Sequence, residues 1–152
     1  MVGIIDLHIH STASDGSFTP KDLVKYAKTK GLSTIAITDH DTVDGVGGAI
    51  EQGEIVGIEV IPGVEISVYF KTELHILGYF LEKSYLNIKH VLDCLKQSRE
   101  RRNPLIVKKL NELGFDITME EVYKEAEGSV VARPHIAKVL LKKGYVISIE
   151  EA

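Results

Sequence analysis

His8 and His10 stand two residues apart within Asp6-Leu7-His8-Ile9-His10-Ser11. Side chains alternate faces along an extended strand, so both imidazoles project to one side and can converge on one ion. Asp15 follows in a polar stretch containing Gly16, His40 lies within Thr38-Asp39-His40-Asp41, and Glu65 within Pro62-Gly63-Val64-Glu65-Ile66-Ser67. His75, two positions past Glu73, adds a further nitrogen. Mixed imidazole and carboxylate donors suit Zn, Mn or Fe(II), whereas a thiolate site would need more than the lone Cys94. One histidine at a strand end is more often a hydrogen-bonded surface residue than a ligand. Four of the six histidines gathered at strand ends or on strands, with Asp15 and Glu65, point instead to a metal centre. Asp6 and Asp39 read as carboxylates that orient ligands from behind, and Asp41 as a loop cap or another such group. His90, in a helical stretch without ligand-type neighbours, reads as structural. Ser11, Thr12 and Ser14 read as loop formers, because no base is spaced to activate a hydroxyl.

Cations capable of holding an anion occur in two places. At about 100° per residue, Ile88, Leu92, Leu95, Arg99, Arg102 and Ile106 share one helical stripe, so two arginines interrupt an apolar face. Burying them without partners is unfavourable; they either snorkel to solvent or face a cleft that receives an anion. Arg133-Pro134-His135 opens a helix, where free N–H groups and the positive dipole end attract anions, although a plain helix entry is the simpler reading.

The elements that position these residues alternate in kind. Ile4 to His10 reads as a strand and Ser11 to Ser17 as a loop. Thr19 as N-cap, Pro20 in the first turn and Gly31 as stop bracket a helix over Lys21 to Lys30. Thr34 to Thr38 is a β-branched strand, Val46 to Val56 a weak helix interrupted by glycines and ended at Gly57, and Ile58 to Ile61 a third strand. Extended segments follow at Val64 to Phe70 and Leu74 to Phe80. Strand, helix, strand, helix, strand predicts parallel strands with crossover helices and ligands at the C-terminal strand ends. From Leu86 to Leu113 the period is helical, with a break or kink expected at Pro104. Thr118 and Glu121 form a capping box, Pro134 to Lys143 a helix closed by Gly144, and Ser148 with Glu151 a second box that would open a helix beyond Ala152. The expected division is therefore 1–84, carrying the ligand loops, and 85–152, a helical insert.

Composition sets the outer limits. The chain has 152 residues, 44% apolar and 26% charged, with no apolar run near the ~20 residues of a membrane span. Its start lacks a secretory pattern, so a cytoplasmic protein is expected. The net charge of −4 repels DNA and requires that any anionic ligand be attracted locally, by metals or clustered arginines.

Asp6-Leu7-His8-Ile9-His10-Ser11-Thr12-x-Ser14-Asp15-Gly16, then Thr38-Asp39-His40-Asp41-Thr42 and Pro62-Gly63-Val64-Glu65-Ile66-Ser67, resemble the successive motifs of the polymerase and histidinol phosphatase (PHP) family. Arg133-Pro134-His135-Ile136-Ala137 with Gly144-Tyr145 is similar to the helical insert of its small-nucleotide branch, which includes 3′,5′-nucleoside bisphosphate phosphatases and 5′-to-3′ exoribonucleases. The resemblance implies an α/β fold, a distorted (β/α)7 barrel of which this chain holds the N-terminal strands and the insert. It implies two to three divalent ions: the first on His8, His10 and Glu65, the second on Glu65 and His75 with Glu65 bridging, the third on Asp15 and His40. Each set falls one ligand short of the family pattern, so the chain reads as the N-terminal part of a longer protein. The implied substrate is a small phosphorylated compound, a nucleotide or short RNA, held by Arg99, Arg102, Arg133 and His135. A non-catalytic metal-binding module and a metal-dependent amidohydrolase stay open as alternatives, and an exposed sheet edge would invite self-association.

Overall fold

The computed structural model describes residues 3–68, 70, 71, 74–80, 82–126 and 130–152, with the backbone alone at 82 and 83. Glu73 and part of the extended segment expected over Val64 to Phe70 lie outside the described residues. The elements run β1 (Ile4–Ile9), α1 (Pro20–Thr29), β2 (Leu32–Ile37), α2 (Val46–Val56), β3 (Glu59–Val68), β4 (Leu74–Tyr79), a 3₁₀ stretch over Glu82–Ile88, α3 (Lys89–Glu112), α4 (Met119–Ala126) and α5 (Arg133–Lys142). They divide into two compact units, Met1–Asp93 and Cys94–Ala152.

The first unit is a four-stranded mixed sheet in the order β1-β2-β3-β4. β1, β2 and β3 are parallel, as the alternation of elements predicts, and α1 and α2 supply the crossovers. β4, for which the alternation carried no orientation, runs antiparallel to β3. The reason is length: residues 69–73 are the whole connection, and a parallel return needs a dozen residues or more. Thr19 Oγ1 accepts the Asp22 N–H at 3.2 Å and Pro20 occupies the first turn, so α1 starts where the sequence predicts. Gly31 at φ 79° and Gly57 at φ 67° let the chain leave α1 and α2 through left-handed turns. Val24, Ala27, Ile35, Ala36, Ile37, Val46, Ala49 and Val64 are buried and form the core of this unit.

β3 is one unbroken strand, where the sequence suggests two extended pieces around Pro62-Gly63. Its first half pairs with β2 (Thr34↔Glu59 to Ile37↔Pro62) and its second half with β4 (Gly63↔Tyr79 to Val68↔Leu74). Pro62 sits at the changeover, its carbonyl accepting the Phe80 N–H at 2.9 Å, so its missing N–H falls at the end of the β3·β4 ladder. Gly63 is confined on all sides: a Cβ there would lie 2.8 Å from Thr38 Cγ2 and 3.0 Å from the Ile37 carbonyl.

In the second unit, Val107, Ile117, Val122, Ile136, Val139 and Leu140 form a buried cluster. Asn111 Nδ2 bridges the carbonyls of Val107 (2.9 Å) and Ile117 (2.8 Å), tying α3 to the chain ahead of α4. The capping box closes, with the Thr118 N–H donating to Glu121 Oε2 at 2.8 Å and the Glu121 N–H to Thr118 Oγ1 at 3.3 Å. Of the break or kink expected at Pro104, the break is absent: α3 continues through it as one helix, with neighbouring Asn103 and Val107 buried. Among the described residues no helix is long and apolar enough to cross a membrane.

Candidate metal centre

Parallel pairing carries the ends of β1, β2 and β3 to one edge, and the chain past β2 stays beside β3. The Thr38 N–H donates to the Ile9 carbonyl at 2.9 Å, the Glu65 N–H to the Asp39 carbonyl at 3.1 Å, and the Asp41 N–H to the Glu65 carbonyl at 2.9 Å. His40 therefore bridges Glu65 as an extension of the parallel ladder. β4, being antiparallel, sets His75 opposite Ser67, diagonal to Glu65 on the same face.

Glu65 is the meeting point. Its Oε2 lies 2.9 Å from His8 Nε2 and 3.0 Å from His10 Nε2, and its Oε1 lies 2.8 Å from His75 Nδ1. His40 Nδ1 is 3.6 Å from the same Oε2, while its Nε2 is 3.6 Å from Asp15 Oδ2; Asp15 Oδ1 is 3.6 Å from His10 Nδ1. Ring centroids step from His8 to His10 (5.1 Å), His40 (4.6 Å) and His75 (4.8 Å). Burial works against the Glu65 charge, but the His8 hydrogen bond and the fields of His40, His10 and His8 outweigh it and hold the carboxyl below the usual glutamate range. The donor atoms fall into three overlapping groups, His8–His10–Glu65, His10–Asp15–His40 and His40–Glu65–His75, each within 4.8 Å. Atoms that share an ion at about 2.1 Å stand roughly 3 Å apart, so nitrogens and oxygens converging at these distances suit a divalent cation.

Behind the ligands, buried Asp39 gathers three donors: the Ser11 N–H (2.6 Å), the Ser11 hydroxyl (2.7 Å) and the Ser14 hydroxyl (2.8 Å). Burial pushes its carboxyl up, and the Ser11 and Ser14 donors draw it back only in part. This knot joins the loop holding Asp15 to the residue before His40, which gives Ser11 and Ser14 a specific task beyond general loop formation. Asp41 takes a left-handed φ of 51°, and its Oδ1 accepts the Ser67 N–H at 2.8 Å, two residues past Glu65. Asp6 acts on backbone: its Oδ1 accepts the His8 N–H at 3.2 Å. His90 lies on α3, apart from every one of the three donor groups.

The structure thus brings His8, His10, Asp15, His40, Glu65 and His75 together and places Arg99, Arg102, Arg133 and His135 in the second unit. There Arg99 is buried and lines a cleft of about 240 Å³ with Lys96, Asn103, Met119 and Tyr123. Arg102 Nη2 donates to Asn103 Oδ1 at 3.2 Å, and Arg133 is exposed in the first turn of α5. His135 is buried, and its Nδ1 accepts the Ala132 N–H at 3.0 Å, closing the helix entry as a cap.

Known proteins resemble this chain over its whole extent. A structure from Bifidobacterium adolescentis, provisionally described as a metal-dependent phosphoesterase, matches all of it with TM-score 0.88 and 31% identity, covering 54% of that protein. An amidohydrolase of Chromobacterium violaceum, solved with bound sulfate and no metal, matches 97% of it with TM-score 0.88 and 27% identity, covering 52%. The 5′-3′ exoribonuclease Rnm of Escherichia coli is 38% identical over 97% of this chain and 52% of its own length. The chain spans about half the length of the curated relatives it matches, at 52% for each of the first two. The fold is accordingly α/β of the PHP type, with a part of that barrel present. The PHP domain pattern itself matches residues 6–149, and the chain belongs to the PHP domain family.

Proposed function

We propose that this chain supplies the divalent-metal site of a phosphoesterase that hydrolyses small nucleotides or short RNA. One observation carries the reading: a single buried carboxylate, Glu65, touches His8, His10 and His75 within 3.0 Å, with His40 and Asp15 next to them. His8, His10 and Glu65 would hold one ion, Glu65 and His75 a second, and Asp15 and His40 a third, of Mn, Zn or Fe. Such ions supply Lewis acidity, polarising a phosphoryl oxygen and making water a competent nucleophile near neutral pH. The chain's own residues hold and orient. Glu65 links the donor groups, Asp39 and Asp41 fix the loops on either side of His40, and Arg99, Arg102, Arg133 and His135 of the helical insert would bind phosphate. Negative charge overall leaves these cations and the ions to attract the substrate locally. A cytoplasmic location fits the lone exposed cysteine.

The name of the Chromobacterium violaceum relative keeps C–N hydrolysis as a second reading, but the sulfate it holds is a tetrahedral dianion like phosphate. The test uses the 152-residue chain with Mn²⁺, Zn²⁺ or Fe²⁺, elemental analysis, and hydrolysis of p-nitrophenyl phosphate, 3′,5′-nucleoside bisphosphates and short 5′-phosphorylated RNA. Metal uptake with phosphate release that inorganic phosphate inhibits supports the reading. Metal uptake without turnover, here and in a protein of its relatives' length, leaves a binding module. Turnover of amides alone would replace the ester reading.

A further inference from the structure

We propose that the Tyr79 hydroxyl and the Asp6 carboxylate are positioning groups for His8, gripping from both ends the peptide bond that precedes it. The proposal rests on the metal-site reading only in the consequence for metal affinity.

β1 does not lie regularly on β2. Asp6 pairs with Ile35 and Ile9 with Ile37, so β1 takes three steps where β2 takes two. One residue is extra, and Leu7 and His8 lie in this bulge. A bulge re-aims side chains and disrupts the ladder locally, so the orientation of a residue within it depends on other contacts. Here both polar groups of the Leu7–His8 peptide have side-chain partners: the Tyr79 hydroxyl donates to the Leu7 carbonyl at 2.9 Å, and the His8 N–H donates to Asp6 Oδ1 at 3.2 Å. A planar peptide held at its oxygen and its hydrogen cannot rotate about its flanking bonds without breaking one of them.

Tyr79 is anchored independently of β1. It sits opposite Gly63 in the β3·β4 ladder, and the next residue, Phe80, donates its N–H to the Pro62 carbonyl. β1 and β4 are the two edges of the sheet, so the hydroxyl links the strand carrying His8 to the hairpin carrying Glu65 and His75, past the β2 strand between them. Tyr79 is 46% exposed, and Tyr79→Phe keeps the packing of its half-buried ring while removing only the hydroxyl. What the hydroxyl adds is the direction of the His8 ring, whose Nε2 stands 2.9 Å from Glu65.

Tyr79→Phe in the full chain tests this, with Asp6→Ala as the second variant and Asp6→Asn, which keeps an acceptor oxygen, as the conservative control. Isotope-labelled histidine rings are followed by NMR without metal, and Zn²⁺ affinity is measured by chelator competition. The expected result is that the His8 ring signals shift in Tyr79→Phe and Asp6→Ala while those of His10, His40 and His75 move much less. Zn²⁺ affinity should fall about tenfold, Asp6→Asn should recover most of it, and the thermal midpoint should barely change. His8 signals that stay in place, or four rings that move alike, overturn the proposal. A wild-type chain that takes up no Zn²⁺ while His8 still responds removes the metal reading and leaves the positioning intact.

Discussion

His75 Nδ1 meets Glu65 Oε1 at 2.8 Å because β4 reverses against β3 and makes the two residues diagonal neighbours. Glu65 belongs to two of the three donor groups and His75 to one. Glu65→Gln keeps the shape but loses the charge that a cation needs, so metal uptake should fall to at most the one ion on Asp15 and His40. His75→Ala should cost less, removing only the ion it shares with Glu65. Loss of outer-shell partners typically weakens metal binding about 10–100-fold, so a direct ligand such as Glu65 should cost more. Metal-to-protein ratios after gel filtration check this, and equal retention by Glu65→Gln and wild type would dismiss Glu65 as the hub.

Two nearby glycines differ in what a Cβ would meet: Gly45 faces the Asp39 knot and Gly48 does not. A Cβ on Gly45 would stand 2.7 Å from Asp39 Oδ2 and 2.9 Å from Ser11 Oγ, whereas on Gly48 it would meet only the flexible Lys21 chain, at 3.7 Å. Gly45→Ala should therefore destabilise by about 1–3 kcal/mol. Gly48→Ala, inside α2, should stabilise by about 0.5–1 kcal/mol through helix propensity. Urea unfolding of both variants measures the contrast, and a neutral Gly45→Ala would mean that the knot yields easily.

Much of this centre was legible because its ligands sit where local patterns change. The alternation through His8 and His10, the β-branched run before His40 and the turn residues before Glu65 each mark a strand or its end, and parallel topology then brings those ends together. The reversal at β4 was not legible in hydrophobic pattern, since the short connection ahead of Leu74 and the ladder it forces are facts of chain geometry. Nor was the Tyr79–Leu7 bond, whose partners are 72 residues apart and carry no shared local signal. Ser11 and Ser14 were readable as loop residues, but that their hydroxyls serve Asp39 follows only from its burial. At Pro104 the sequence allows a break or a kink, and propensity alone does not see the packing on either side that keeps α3 continuous.

Asp41 combines a left-handed backbone with a side-chain acceptor for the Ser67 N–H. Asn tolerates that φ and keeps an acceptor oxygen, Gly keeps only the backbone freedom, and Ala keeps neither. Stability should follow Asp ≥ Asn > Gly > Ala, with Asp41→Ala losing about 2–4 kcal/mol from the orphaned N–H and the strained φ together. Denaturant midpoints give the order. A Gly variant weaker than Ala would show that backbone strain at Asp41 contributes nothing.

In the second unit, Lys143 Nζ lies 2.7 Å from Glu121 Oε1 and donates to the Asp116 carbonyl at 2.6 Å. Its hydrogen bond, followed by the Thr118 N–H, lowers the Glu121 pKa, and the same hydrogen bond raises that of Lys143. A depressed acid contributes stability that is present above its unfolded value of 4.5 and is lost as pH falls through the lower folded value. A raised base contributes stability that is present below 10.5 and is lost as pH rises through the higher folded value. Both side chains reach solvent, so the effect should be small and shrink in salt. Glu121→Gln should therefore lower the urea midpoint at pH 7, and the gap to wild type should close as the solution is acidified below the glutamate range. It should also close in strong alkali as Lys143 loses its proton. A gap that stayed constant from acid to neutral pH would assign the loss to the capping box rather than to the ion pair.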